Sequence, residues 1–347
     1  MAVVKVYIVV LLSVLVVVVW SLALFSRPVS RDHAPIRVVI PSGASARQIA
    51  NILYSRGLIR SRLVFLFTCE MNGTADKLRP GVYELRESMS LPRIIDSLVR
   101  GDTLESWVTI PEGFNIRQIN NLLESRGLTS RDVFAQVALT QGTRFLSYSY
   151  LSENSLEGFL FPDTYLIARG SAPDAIITKM LDAFDLKVLK PHRAEIEAVI
   201  RKRFGLGPDL FDEGLRRIII LASLVEREAK IPRDRPLIAA VLWNRLAKRM
   251  RLEVDATVSY EPGVSTENKP NISLRDLASN SPYNTYRNYG LPPTPICNPG
   301  IASVVAVLRP ADRNYLFYVA KPDGSHLFSH TFAEHTRKKR AIKEGKL

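Results

Sequence analysis

Apolar positions along this chain follow several patterns, and each predicts a different kind of element. Residues 6–25 form one apolar run without a charged side chain, which is long enough to cross a bilayer core of about 30 Å. A cleavable signal peptide has a shorter apolar region, roughly 7–15 residues, and the best cleavage site here, around Ala23 and Ser26, is poor. We therefore expect an uncleaved N-terminal transmembrane helix, with the rest of the chain exported.

Beyond this run, one pattern occurs twice. Residues 40–58 read IPSGASARQIANILYSRGL, and residues 110–128 read IPEGFNIRQINNLLESRGL. In each copy a short β-rich run ends at a Pro-x-Gly turn, and apolar residues at helical spacing follow. Each copy predicts a strand–turn–helix unit. Both units could serve packing alone, but the first copy also resembles the small glycan-binding LysM module.

The remaining elements follow from alternating and helical periodicity. Residues 79–98 predict a turn, a strand and a helix, which complete a small α+β unit. Residues 315–320 and 325–329 predict two strands joined by the turn Pro322-Asp323-Gly324, which makes a hairpin. Helical spacing predicts four longer helices, at residues 172–189, 193–204, 215–230 and 235–249.

Charge and residue usage narrow the function classes. The 347 residues include 47 basic and 34 acidic side chains, a formal charge of +13, which fits nucleic acid, a membrane surface or an anionic polymer. The apolar N-terminus favours the last two, and no nucleic-acid-binding motif occurs.

We expect no metal or cofactor, because His326, His330 and His335 lack the spacing of a helical ligand pair. Cys69 and Cys297 predict two unpaired core thiols rather than one bridge.

One apolar helix carries two carboxylates near its end. Residues 221–230 read LASLVEREAK, in which Glu226 and Glu228 lie two positions apart and point to different sides of the helix. Small residues precede Glu226 on its side, which leaves room for a ligand. Apolar residues surround Glu228, which favours a core position with an ion pair to Arg235 or Arg245. A carboxyl group in an apolar cleft has a raised pKa, as a general acid requires; alternatively, both simply end a core helix.

Two loops combine aromatic, amide and proline residues. Residues 155–165 read SLEGFLFPDTY, and residues 281–300 read SPYNTYRNYGLPPTPICNPG. Rigid loops of this kind suit carbohydrate, because sugar rings stack on aromatic side chains and sugar hydroxyls bind amides. This composition on its own fits any rigid loop equally well.

The order of the motifs points to one family. The chain carries in turn LEGFLFPDTY, LASLVEREA, VLWNRL, MRLEVDATVSY, YNTY, GLPPTPICNPG and a terminal hairpin with GSHLF. This series closely resembles the bacterial endolytic murein transglycosylases, the MltG/YceG-like family, over nearly the whole chain after the apolar run. The resemblance implies an α+β fold class with three parts: a membrane anchor and linker at residues 1–35, a small LysM-like α+β subdomain at 36–104, and a larger mixed α/β catalytic domain at 105–347.

The resemblance also implies a reaction on nascent peptidoglycan. Such lyases cleave the β-1,4 bond between N-acetylmuramic acid and N-acetylglucosamine: the muramic acid 6-hydroxyl attacks its own anomeric carbon and leaves a 1,6-anhydro end. One acid/base carboxyl suffices, whereas ordinary glycosidases use two carboxylates about 5–9.5 Å apart. The family further implies termination of glycan elongation, peptidoglycan synthases as partners, and a single-pass location in the bacterial inner membrane with the catalytic domain in the periplasm or otherwise outside the cytoplasm.

Site residues carry over from the family motif by motif. The family's catalytic glutamate matches the first acid of LVERE, Glu226, and Glu228 is the alternative. The family often has Trp where Phe159-Leu160-Phe161 stands and Gln-Thr-Asp-Pro where Glu253-Val254-Asp255-Ala256 stands, so subsite affinity is expected to differ. The same matching implies cleft or substrate contacts for Glu157, Asp163, Asn244, Arg245, Asp255, Thr257, Tyr283, Asn284, Thr285, Tyr286 and His326.

Two other functions fit the same sequence. A non-catalytic, membrane-anchored scaffold would bind peptidoglycan with the same fold and position synthesis or division proteins. A hydrolytic muramidase would use Glu226 together with a second carboxylate, Asp163 or Asp255. Product mass separates these functions, because anhydro-ended products are one water lighter per cut than hydrolytic ones.

Overall fold

The computed structural model describes residues 24–151, 155–260 and 273–346. The predicted transmembrane run lies outside the described residues, apart from Leu24 and Phe25. Within the described ranges, no helix has the length and apolar character needed to cross a membrane.

The first of two compact units comprises residues up to Val108 together with Tyr165–Arg169, and it contains a four-stranded sheet. Neighbouring strands follow chain order, and the first two are antiparallel, with Val38 opposite Tyr83. Both side chains are fully buried in one apolar core with residues of the three helices. The elements are β1 (Ile36–Ile40), α1 (Ala46–Ser55), α2 (Arg62–Met71), β2 (Gly81–Leu85), α3 (Leu91–Arg100), β3 (Thr103–Thr109) and β4 (Thr164–Ala168).

The second unit, Thr109–Thr164 with Gly170–Leu347, is mainly helical. Its central helix, α8 (Phe211–Glu228), is buried along most of its length and packs against α9 (Arg235–Ala247) and α12 (Ile301–Leu308). The elements are α4 (Ile116–Ser125), α5 (Val133–Thr140), α6 (Pro173–Phe184), α7 (Lys190–Val199), α8 (Phe211–Glu228), α9 (Arg235–Ala247), α10 (Asp255–Val258), α11 (Leu274–Leu277), α12 (Ile301–Leu308), β5 (Phe317–Ala320), β6 (His326–Ser329) and α13 (Phe332–Lys343).

Both copies of the repeated pattern form the predicted strand, turn and helix. The turn glycines, Gly43 and Gly113, have φ angles of 76° and 78°, a region that favours glycine because a Cβ is strained there. Each helix then begins with a capping box. The side chain of Ser45 accepts from the Gln48 amide in the first copy, and Asn115 accepts from the second copy's glutamine amide in the same way.

The helices predicted at residues 172–189 and 193–204 are joined rather than separate. A π-helical segment, Asp185–Leu189, connects α6 directly to α7, and Pro191 lies in the first turn of α7. Proline removes one backbone donor and crowds the preceding turn, and the wider π-type turn relieves both effects. The sequence therefore predicted a break where the chain only changes its helical winding.

The predicted hairpin near the C-terminus brings two polar side chains to one face. Strands β5 and β6 pair antiparallel, with Tyr318 opposite Phe328 and Ala320 opposite His326. Because side chains two apart on a strand share a face, Tyr318 and His326 lie on the same side of the hairpin. Both side chains line the cleft described below.

Candidate active site

A cleft of about 490 Å³ in the second unit gathers four of the predicted site residues. Arg245, Asp255, Tyr286 and His326 line it, although they belong to four separate segments of the chain. Glu228, the last residue of α8, lines it as well. A larger cavity of about 840 Å³ contains none of the predicted site residues, so size alone does not identify the site.

Glu228 is the carboxyl group best placed for acid chemistry in this cleft. Burial raises the pKa of Glu228 to about 7, and the neighbouring charge of Asp255 also raises it. The Tyr318 hydroxyl donates a 3.0 Å hydrogen bond to Glu228 Oε2, and this bond, together with one from the Ala256 amide, lowers the pKa. A carboxyl group with a pKa near 7 holds its proton at neutral pH for a substantial share of the time, as a general acid must.

Glu226 has different surroundings on the same helix. Its side chain is 7% exposed, and its Oε1 lies 3.5 Å from Nη2 of Arg235. Its Oε2 accepts a 3.1 Å hydrogen bond from the Gly300 amide, just before α12. A carboxylate at a helix N-terminus interacts favourably with the unpaired amides and the helix dipole. These contacts indicate that Glu226 joins α8 to the start of α12.

A third carboxyl group, Glu112 from the second repeat, lies beside Glu226. Burial and the charge of Glu226 raise the pKa of Glu112, while Arg235 lowers it. A Cβ at Gly300 would lie 2.0 Å from Glu112 Oε1, so the carboxyl group occupies the space that any larger residue would need. Glu112, which is exposed, therefore lies within the electrostatic reach of the Glu226–Arg235 pair.

The two arginines predicted to pair with Glu228 form ion pairs with other glutamates. We expected Arg235 or Arg245 to pair with Glu228, but Arg235 contacts Glu226 and Arg245 Nη1 lies 2.9 Å from Glu253 Oε2. Arg245 also donates to three backbone carbonyls, including that of Leu316 at 2.6 Å. It thus fixes the chain on both sides of the cleft, and its guanidinium is almost fully used within the protein.

The motif around Asp255 and the YNTY loop form one wall. The hydroxyl groups of Thr257 and Thr285 lie 2.9 Å apart, and Thr285 Oγ1 accepts from the Val254 amide at 2.9 Å. Both threonines are buried. Tyr286 donates a hydrogen bond to Asp255 across this wall. The threonines therefore hold the wall together, while Asp255 and Tyr286 face the cleft.

Four other predicted site residues stabilise the surrounding structure rather than line the cleft. Asn244 donates to the carbonyls of Arg313 and Tyr315 before β5, and Asn284 donates to those of Leu277 and Ser279. Tyr283 binds Thr294 at 2.8 Å. Asp163 forms an ion pair with Lys187.

Glu157 lies at the centre of a buried hydrogen-bond network. It accepts from the Ile116 amide at 3.1 Å, from the Tyr260 hydroxyl at 3.2 Å and from Asn298 Nδ2 at 2.9 Å. Asn298 Oδ1 also accepts from two amides of the segment that follows Glu157, those of Gly158 and Leu160. Burial raises the pKa of Glu157 to about 8 despite the three donors. This network joins the LEGFLFPDTY and NPG motifs.

His326 is held by a residue that sequence analysis missed, Asp234. Asp234 Oδ2 accepts from the His326 backbone amide at 2.8 Å and lies 3.0 Å from His326 Nδ1. Tyr318 was missed as well. A run such as YLFYVA predicts a strand, but only the pairing with β6 shows which of its tyrosines faces the cleft.

The described part of the chain contains neither a metal-binding cluster nor a disulfide bond. Across those residues, no group of three or more His, Cys, Asp or Glu side chains could hold a metal ion. Cys69 and Cys297 are both buried and free, and burial raises the pKa of each thiol. His330 and His335 contact aromatic rings, with centroids 4.6 Å from Tyr315 and 5.5 Å from Phe317 respectively.

Comparison with known sequences shows where these motifs belong. Residues 38–341 match the YceG-like family. The chain belongs to the YceG-like family. This match confirms the resemblance that the order of the motifs predicted, and it spans both compact units.

Several relatives of this YceG-like chain resemble it over most of its length. A Bacillus subtilis (strain 168) protein named endolytic murein transglycosylase is 31% identical over 326 residues, 90% of this chain and 86% of the relative. A protein of the same name from Streptococcus pneumoniae serotype 2 (strain D39 / NCTC 7466) is 30% identical and covers 87% of this chain, which spans 57% of that relative. The crystal structure of a YceG-like protein from Listeria monocytogenes gives a TM-score of 0.60 at 30% identity, covering 88% of this chain and 99% of that one.

Proposed function

We propose that this protein is an endolytic murein transglycosylase. It cleaves the β-1,4 bond between N-acetylmuramic acid and N-acetylglucosamine within nascent glycan strands and leaves 1,6-anhydro ends. The observation that carries the proposal is the carboxyl group of Glu228, which lines a cleft of about 490 Å³ and whose pKa is raised to about 7 by desolvation. The relatives named endolytic murein transglycosylase support the same reaction.

The geometry favours Glu228 over Glu226 as the acid that protonates the leaving oxygen. Glu228 lines the cleft with Asp255, Tyr286 and His326. Glu226 instead has one oxygen near Arg235 and the other on the Gly300 amide. An acid must reach its substrate; the lining of this cleft by Glu228, and the contacts of Glu226 with Arg235 and the Gly300 amide, support the choice of Glu228.

The remaining cleft residues bind and orient the sugar. Tyr286 offers an aromatic ring, and Asp255 and His326 offer polar atoms to sugar hydroxyls. Thr257, Thr285, Asn284 and Asn244 position this wall and the hairpin. Three residues outside the cleft lining stabilise the loops that contain them and so affect the cleft only indirectly. They are Glu157, Asp163 and Tyr283.

The proposal also covers where the protein is located and which molecules it binds outside the cleft. The apolar run at residues 6–25 anchors the chain in the bacterial inner membrane by a single pass, with the catalytic domain in the periplasm or otherwise outside the cytoplasm. The first unit acts as a LysM-like subdomain that binds glycan, and peptidoglycan synthases are the partners. Its role is to terminate glycan elongation. The basic charge of +13 suits an anionic envelope.

Product mass tests the proposed reaction. The purified full chain is incubated with uncrosslinked glycan strands, and the new ends are analysed by mass spectrometry. We expect anhydro-ended products, because the nucleophile is the substrate's own 6-hydroxyl. Products heavier by one water per cut would instead indicate a hydrolytic muramidase, and intact strands would indicate a non-catalytic scaffold.

Removing the Tyr318 hydroxyl tests the electrostatics of the acid. Tyr318→Phe deletes the donor that stabilises the Glu228 carboxylate, so the pKa of Glu228 rises further above its ordinary value. Since the acid acts in its protonated form, the high-pH limb of the kcat/KM profile moves to higher pH. Tyr315→Phe, outside the cleft, is the matched control. A shift of that limb to lower pH, or an equal shift in the control, contradicts the role given to Tyr318.

A further inference from the structure

The cavity of about 840 Å³ in the second unit is lined by basic, aromatic and apolar side chains. Its volume is that of an ordinary ligand pocket, about 300–1,000 Å³. Four arginines and one glutamate line it, which leaves a formal excess of three positive charges. We call it the arginine cavity, and its charged residues are Arg203, Glu213, Arg216, Arg217 and Arg249.

Two aromatic rings hold arginines of this cavity in place. The guanidinium carbon of Arg203 lies 5.3 Å from the ring centroid of Trp243, and that of Arg217 lies 5.3 Å from the ring centroid of Phe204. The two rings contact each other, with centroids 5.1 Å apart. The indole N–H of Trp243 donates to the Val307 carbonyl at 3.0 Å, which fixes the ring. A guanidinium that stacks on a ring keeps its N–H edge for a planar acceptor, so the arrangement suits carboxylates.

Arg249 enters the cavity from an uncommon backbone conformation. Its φ is 53°, in the left-handed region that side chains other than glycine rarely adopt. It follows α9 closely, and its amide donates to the Leu246 carbonyl at 3.0 Å. Residues in such conformations concentrate at functional sites. The one acid of the lining, Glu213, pairs with Arg217, so it offsets a single arginine.

The arginine cavity lies beside the cleft that contains Glu228, because two segments of the chain contribute to both. Ile220 of α8 lines the cavity, and Glu228 lies eight residues, about 12 Å, further along the same helix. The loop that places Tyr286 in the cleft continues into residues 290–293, which line the cavity. About four residues of extended peptide cover 12 Å. A peptide attached to a sugar in the cleft is therefore long enough to reach the arginines.

We propose that the arginine cavity binds the acidic peptide carried by muramic acid residues of the same glycan strand. This inference rests on the proposed function. The peptides of uncrosslinked strands carry free carboxylates, and an arginine binds a carboxylate through two parallel N–H···O bonds. The cavity thus selects strands whose peptides are still attached, while Glu228 acts on the sugar chain.

Strands with and without peptides test this selection in the wild-type protein. The full chain is incubated with uncrosslinked strands, and with the same strands after an amidase has removed their peptides. We expect kcat/KM to be about 10-fold higher for the peptide-bearing strands, mainly through a lower KM, because the charged contacts strengthen binding. Equal values for the two substrates overturn the inference.

A double variant assigns the preference to this cavity. Arg203→Gln with Arg249→Asn removes two of the positive charges, and asparagine tolerates the left-handed conformation at position 249. Both side chains are exposed, so neither change opens the core. We expect the preference for peptide-bearing strands to disappear. The matched control, Arg337→Gln with Lys343→Gln, removes two exposed charges of α13 outside both cavities and keeps the preference. A double variant that also keeps it contradicts the inference.

Isothermal titration calorimetry tests the cavity without the reaction. The free peptide released by the amidase is titrated into the full chain, and we expect binding that the double variant loses. Binding of inorganic diphosphate with no binding of the peptide would assign the cavity to a phosphate-bearing ligand and overturn the inference. Failure of the proposed function is a separate result, because the wild-type chain then forms no anhydro-ended products from either kind of strand.

Discussion

Replacing Glu228 by glutamine is expected to lower kcat/KM on uncrosslinked glycan strands by about 10³-fold. Glutamine has nearly the same shape and still accepts from the Tyr318 hydroxyl at the position of Oε2. It has no proton of suitable acidity for the leaving oxygen, so the loss falls on the chemical step. The rate of anhydro-end formation at pH 6 is the measurement, since Glu228, with a pKa of about 7, is mostly protonated there.

Two observations separate a catalytic loss from a structural one. Thermal unfolding of Glu228→Gln should occur at or above the wild-type temperature, because the variant no longer buries an ionisable carboxyl group. Binding of glycan strands should persist, because the wall formed by Asp255 and Tyr286 is unchanged. A variant that is folded, binds strands and cleaves them at the wild-type rate would remove Glu228 from the mechanism.

Truncating Glu157 to alanine is expected to lower the free energy of unfolding by about 3 kcal/mol. The change leaves the donors of Ile116, Tyr260 and Asn298 without their acceptor. Each buried donor left unsatisfied destabilises the folded protein by about 1–3 kcal/mol. It also leaves a cavity at a residue that is 2% exposed. Denaturant unfolding of the full chain measures the loss. A change below about 0.5 kcal/mol, the usual range of a surface substitution, contradicts the network.

Glutamine at the same position has a different, pH-dependent effect. The folded protein holds the Glu157 proton up to about pH 8, whereas the unfolded chain releases it near pH 4.3. The raised pKa therefore gives stability that is fully present below about pH 4.3 and lost as the pH rises to about 8. Glu157→Gln removes this dependence, so its stability relative to the wild type should increase with pH by about 1 kcal/mol per unit in that window. A difference that stays constant with pH contradicts the raised pKa.

Local patterns in the sequence predicted the local elements. Both copies of the repeat form a turn and a capped helix, because Gly43, Gly113 and the cap residues Ser45 and Asn115 act within a few positions of themselves. The hairpin at β5 and β6 follows equally from alternation and a Pro-Asp-Gly turn. The junction at Pro191 was not predicted, because a π-helical segment depends on how the chain packs on both sides of it.

The environments of the two glutamates depend on distant segments. Glu228 is the last residue of α8, so the neighbours expected for a continuing helix do not surround it. Its donors come from Tyr318, ninety positions later, and from Ala256. The partners of Glu226 come from Arg235 and Gly300. The periodicity of one helix cannot show these contacts, and for the same reason it missed Asp234, Glu112 and Asn298.

Rates of anhydro-end formation by Glu226→Gln and Glu228→Gln, measured side by side on uncrosslinked strands at pH 6, test the identity of the acid most directly. Glutamine at position 226 still accepts from the Gly300 amide, so we expect this variant to keep its rate within about 10-fold of the wild type, while Glu228→Gln falls by about 10³-fold. Two folded variants with the opposite ranking, Glu226→Gln inactive and Glu228→Gln active, would assign the acid to Glu226 and contradict the role of the cleft.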